Sequence, residues 1–245
     1  QALRRVLSEG RDGVVRALRA RERDARSARK QGRGGRGPAW VGARADPRPL
    51  SCAEEVDVMA QPTHEWRPPE RPWQEQDLSD LPEDGSRYEI IDGSLHVTPP
   101  PGYGHQLLAD EIRSALQATA PTGWWVIREA GLRAPVANLI PDISVLKPSA
   151  PPDGLWTHPS DVALVVEIES PSSRRYDRLI KPPLYAEAGI PHYWRVERGD
   201  FGPVIYRYQL VKGVHYNLMG TVGPDDAAQL DEPWPMRLDP SAWPR

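Results

Sequence analysis

Glu167 and Glu169 stand two residues apart in "LVVEIESPSS", the run from Leu164 to Ser173 that otherwise begins as a buried, apolar strand. Residues two apart on a strand share a face, so both carboxylates point the same way. Like charges at that spacing raise each other's pKa or recruit a cation. Two more residues complete a possible chemistry: Asp142, directly after Pro141 at the start of "LIPDISVLKP", and Lys181, fourteen residues beyond Glu167. Carboxylates brought together from neighbouring strand ends suit a hard divalent cation, which prefers oxygen ligands and keeps several waters. A nearby lysine can orient or activate an attacking water and offset charge on a phosphate. The expected metal ligands are Asp142, Glu167 and Glu169, and the expected ion is Mg²⁺ or Mn²⁺.

Each of these residues has a plainer reading. Glu169 can sit in a solvated loop where the strand frays at Ser170-Pro171, and Asp142 can cap a turn, a common use of aspartate. Lys181 can be a surface lysine turned away by Pro182-Pro183 directly behind it, although proline is tolerated in the first turn of a helix. Glu167, inside the apolar run, is the hardest to excuse, because an unpaired buried carboxylate is costly.

Other chemistries lose their anchors. The six histidines form no H-E-x-x-H pair, and there is neither a G-x-S-x-G elbow nor a P-loop. Cys52 is the single cysteine, which excludes a disulfide framework and a cysteine-based zinc site and suits a reducing, cytoplasmic setting. A G-x-G-x-x-G at Gly32, Gly34 and Gly37 reads as accidental, since its Arg- and Pro-rich surroundings supply neither the strand before it nor the helix after it. No run approaches the roughly 20 apolar residues of a membrane span, and no apolar signal-peptide core is seen, so neither membrane insertion nor secretion is expected.

The elements that must position the acids can be read from periodicity. "RYEIIDGSLHVTP" predicts a hairpin turning at Asp92-Gly93. "GHQLLADEIRSALQAT" predicts an amphipathic helix with Leu108, Ile112, Ala115 and Thr119 on one face. "GWWVIREAGLRAPV" gives one or two strands and "LIPDISVLKP" another, while "DVALVVEIES" is the best candidate for a central strand covered on both faces. "LYAEAGIPHYW" predicts a short helix closed by Gly189, followed by a strand, and "PVIYRYQL" and "GVHYNLMG" predict a hairpin around Lys212-Gly213. The sum is an α/β (α+β) domain, a mixed β-sheet core flanked by helices, covering 84–245 behind a Pro/Trp-rich lead-in at 61–83.

Residues 1–60 differ in kind, with 14 Lys+Arg against 8 Asp+Glu, whereas the remainder has 17 against 26, a net charge of −9. Rich in Arg, Gly and Ala and poor in apolar periodicity, the first segment is expected to be a basic, disordered extension, either an arm that holds nucleic acid electrostatically or, the preferred reading, sequence upstream of a domain that follows Met59. The group Arg174, Arg175, Arg178 and Lys181 is the one basic cluster near the candidate acids.

Taken together, "RYEIIDGSLHVTP", "IPDISVLKP", "LVVEIESPSSRRYDRLIKPPLYAEAGIPHYWRVE" and "PMRLDPSAW" resemble the Uma-type (Uma-two) restriction endonuclease family of the PD-(D/E)xK nuclease superfamily, from about Trp73 to the C-terminus. The resemblance implies a restriction-endonuclease-like fold and Mg²⁺-dependent hydrolysis of DNA phosphodiester bonds, with Asp142 as the metal-binding acid and Glu167 as the acid of the (D/E)xK element. It further implies that Lys181 stands in for the superfamily lysine, whose position holds Glu169 here, and that Glu89 joins the catalytic residues. Tyr185 matches a family tyrosine and is read as packing. By analogy with restriction enzymes a homodimer is expected. The competing reading is an inactive nucleic-acid-binding or protein-interaction module on the same fold, since the acidic core offers DNA no general electrostatic footprint.

Overall fold

Strand β1 (Arg87–Ile91) turns through Asp92 and Gly93 into β2 (Ser94–Thr98), and both turn residues have positive φ, 48° and 69°, as a tight two-residue hairpin requires. This computed structural model describes residues 68–243; the basic segment 1–60, with its glycine motif, lies outside the described residues. From Pro72 onward they form one compact unit.

Helix α1 (Tyr103–Thr119) follows and buries His105, Leu108, Ala109, Ile112 and Leu116. The expected stripe holds at Leu108 and Ile112, then passes to Leu116 and leaves Thr119, the last residue of the helix, exposed.

The strand segments after α1 divide between two sheets. Glu129, with φ 55°, separates β3 (Trp125–Arg128) from β4 (Gly131–Ala134), and Ile140-Pro141 separates β5 (Ala137–Leu139) from β6 (Ile143–Leu146). Proline has no N–H to extend a ladder, so Pro141 marks a natural corner. After β7 (Trp156–Thr157) come β8 (Val162–Ile168), β9 (His192–Gly199), β10 (Gly202–Val211), β11 (His215–Val222), β12 (Ala228–Leu230) and β13 (Met236–Leu238). One sheet has the order β2-β1-β5-β4-β7, the other β11-β10-β9-β8-β6-β3, and β12 with β13 makes a small hairpin. The expected mixed α+β architecture is thus present, with its strands in two principal sheets instead of one.

Strand β8 is the centre. It pairs antiparallel with β6 and parallel with β9, and all seven of its residues are buried. Leu164, Val166 and Ile168 join Leu108, Ile112 and Leu116 of α1 in the main apolar cluster. Alternation sends Glu167 to the opposite face, toward helix α2 (Lys181–Glu187). A single π-wound turn, Tyr176–Ile180, leads into α2, and the backbone N–H of Lys181 donates to the carbonyl of Tyr176. Pro182 and Pro183 cannot give i→i−4 bonds and would crowd the carbonyls one turn back; the wider π turn relieves both problems and lets the helix start at Lys181.

Candidate active site

The start of β6 and the end of β8 are brought together by their antiparallel register, in which Ile143 faces Val166. Asp142 therefore lies beside Ile168 and accepts its backbone N–H at 2.7 Å through Oδ2. His105 of α1 places Nε2 3.2 Å from that same Oδ2 and 3.2 Å from the Ile168 carbonyl oxygen. Both neighbours are acceptors, so Nε2 carries the proton. The other oxygen of Asp142 is paired with Arg87. Burial alone would push the Asp142 carboxyl up, but the His105 hydrogen bond and the Arg87 charge outweigh it and hold the group well below the usual carboxylate range.

A second cluster forms around Lys181. Its Nζ lies 3.0 Å from Glu167 Oε1, 3.1 Å from Glu89 Oε1 and 4.0 Å from Asp177 Oδ1. The prolines behind Lys181 do not turn it away. Glu167 Oε1 also accepts the Tyr185 hydroxyl at 2.5 Å, so this tyrosine, buried as expected of a packing residue, also holds the acid. Glu89 accepts the Ile140 backbone N–H at 2.7 Å, which ties β1 to the corner before Pro141. Arg87 and Glu89 are two apart on β1, which is why one strand supplies both a base for Asp142 and an acid for Lys181.

Glu89, Asp142, Glu167 and Asp177 are buried together with Lys181, all lining one cleft of about 470 Å³ with His105 on its wall. Glu169 lines the same cleft but does not join these acids; its oxygens face arginines. Four buried carboxyl groups are thus set against two permanent cations, Arg87 and Lys181, an excess of two acids. The titration behaviour follows. Burial first, then the neighbouring Asp177, Asp142 and Glu89, push Glu167 up to about 8 against the pull of Lys181. Burial likewise raises Asp177 to about 6. For Lys181, burial disfavours the charge, but the carboxylates of Glu167, Glu89 and Asp177 prevail and raise its pKa.

These shifts predict a pH dependence with a definite sign. A carboxyl whose folded pKa is raised takes up protons on folding, so its stabilising contribution is lost as pH rises toward the folded value. Asp177 acts from its ordinary 3.8 to about 6, and Glu167 from 4.5 to about 8. His96, held neutral by burial, works in the opposite sense below its ordinary 6.5. Asp142, held low, loses its contribution only in strong acid. Between about pH 6.5 and 8 Glu167 therefore dominates, and in the presence of a chelator the melting temperature should fall across that interval. A rise there, measured by circular dichroism, would contradict the raised Glu167.

The family model for Uma2, described as "Putative restriction endonuclease", matches residues 75–239. The chain belongs to the Uma2 family. No curated protein matches it. Among solved structures it is similar to one described as a "putative nuclease belonging to DUF820 from Anabaena variabilis ATCC 29413", at 17% identity and a TM-score of 0.49, over 63% of this chain and 87% of that one. Among the described residues no helix is long and apolar enough to cross a membrane.

For this Uma2 chain, three residues of the cleft escaped the sequence reading. Arg87 was signalled by its position two before Glu89, and Asp177 by standing one turn before Lys181. His105 shares the buried face of α1, three residues before Leu108, a place where an apolar side chain is expected.

Proposed function

We propose that the chain is a metal-dependent nuclease that hydrolyses phosphodiester bonds in DNA, using Asp142 and Glu167 to hold one Mg²⁺ or Mn²⁺ ion. The observation that carries this reading is the burial of four carboxyl groups at the cleft against two permanent cations. Such an imbalance is costly unless protons or a cation offset it, and one divalent ion matches it in number. The donor set fits as well: carboxylate oxygens and the Ile168 carbonyl are hard ligands, with open cleft left for the waters that Mg²⁺ retains. When bound, the ion supplies charge opposite a phosphate oxygen and makes water more acidic.

The protein's own groups have separable tasks. Asp142 is fixed by the Ile168 N–H, His105 and Arg87, and Glu167 by Tyr185 and Lys181. Lys181, with its pKa raised, is a permanent ammonium. Its task is to donate to water or to a phosphate oxygen and stabilise negative charge, rather than to remove a proton.

One observation favours the alternative, a nucleic-acid-binding module without turnover: among the described residues no three His, Cys, Asp or Glu side chains form a ready metal cage. Calorimetric titration with Mn²⁺ decides. Wild type should bind about one ion per chain, and Asp142→Asn should weaken that binding on the order of 10-fold or more, the loss seen when even an outer-shell partner of a metal site is removed. Absence of Mn²⁺ binding by wild type would leave the non-cleaving reading.

A further inference from the structure

Glu169, the second carboxylate of the pair at the end of β8, has surroundings of its own. Its side chain is only 2% exposed and meets three guanidiniums: Arg178 through Nε at 2.5 Å and Nη2 at 2.9 Å, Arg195 through Nε at 3.3 Å, and Arg174 through Nε at 3.4 Å. Glu197 takes Arg178 Nη2 at 2.7 Å and Arg195 Nη2 at 2.9 Å. Three cations against two anions leave a positive remainder, in a chain whose residues from 61 onward carry a net −9. This remainder adjoins the cleft whose acids are in excess, and Arg174 lines that cleft beside Glu169. Arg174 is 62% exposed and engages only its Nε, so both of its terminal amino groups are without a partner. Arg178, 36% exposed, leaves only Nη1 without one and lines the neighbouring pocket on the far side of Asp177, next to the cleft.

We infer that Glu169 is a positioning residue that holds Arg174 and Arg178 as a phosphate-binding pair for the nucleic-acid strand entering the cleft. The inference rests on the nuclease reading and assigns the part of the substrate that meets this side of the site. Guanidinium is planar and presents several donors in a fixed fork, so a carboxylate at the Nε edge leaves both outer amino groups of Arg174, and the single Nη1 of Arg178, available to a phosphate. Fixing two long side chains beforehand removes rotamer entropy that binding would otherwise lose. The position two beyond Glu167 thus serves the substrate's phosphates, and Lys181 reaches the acids from α2.

The test is anisotropy of a fluorescently labelled duplex DNA with the full chain, in the presence of a chelator, between about 50 and 200 mM salt. Arg174→Ala and Arg178→Ala should each weaken binding and reduce the salt slope by about 0.9, the share of one phosphate contact, with Arg237→Ala as the reference for losing an exposed arginine outside the cleft. Glu169→Gln removes a negative charge, and long-range electrostatics alone would then tighten binding to a polyanion. The positioning role requires the reverse, a weaker complex, with the Mn²⁺ titration unchanged. Tighter or unchanged binding by Glu169→Gln overturns the inference, as does an Arg174→Ala slope equal to wild type; both leave the nuclease reading standing. Failure of wild type to bind duplex or single-stranded DNA at the lowest salt overturns both.

Discussion

Lys181→Met is expected to lose about 3–5 kcal/mol of stability in chelator at pH 8, the cost of leaving a buried ion-pair partner uncompensated. The substitution keeps the length of the stem and removes only the ammonium, so Glu89, Glu167 and Asp177 are left crowding one another without a cation. Lowering the pH should restore part of the loss, because protonation relieves the same repulsion, and urea unfolding at pH 6 and 8 measures both effects. Cleavage should fall by roughly 10²–10³, the scale of removing one donor aimed at developing charge. Lys181→Arg should not rescue either property. The ammonium is held at 3.0 and 3.1 Å by two carboxylates in a buried pocket, and a guanidinium is too broad for that point. Equal stability of Lys181→Met and wild type would show that the carboxylates are neutral and the charge excess unreal.

Glu167→Gln should act in the opposite direction on stability while sharply reducing activity. The amide oxygen can still accept from Lys181 and Tyr185, so the fold is kept and the carboxyl that is pushed up to about 8 is gone. The melting temperature in chelator should therefore no longer decline between about pH 6.5 and 8. Losing one ligand of the ion removes several kcal/mol of charge stabilisation, on the order of 10²–10⁴ in rate. The pair of variants separates two roles that a single loss of activity would blur: Lys181 holds the acids together, and Glu167 is the acid that strains them.

Much of this arrangement was legible in the sequence because strand and helix periodicity are local. The Asp92-Gly93 hairpin, the fully covered β8 and the first part of the stripe of α1, Leu108 and Ile112, followed from local pattern alone. So did the shared face of Glu167 and Glu169, but not their different fates, since the arginines that claim Glu169 come from the π-wound turn, from the residues just before it and from β9. The division into two sheets was hidden because it depends on where β3 and β5 stop pairing, at Glu129 and Ile140-Pro141, and a corner looks like any short loop. The reach of Lys181 past two prolines could not be judged without the π turn that absorbs them.

Metal-dependent cleavage is tested most directly by plasmid nicking with Mg²⁺ or Mn²⁺, run beside a chelator control and the Glu167→Gln variant. Relaxed and linear products are expected from wild type only when the divalent ion is present, and intact supercoiled plasmid from Glu167→Gln and from every chelated reaction. Cleavage that persists in chelator, or that Glu167→Gln performs as well as wild type, would contradict the metal-dependent reading.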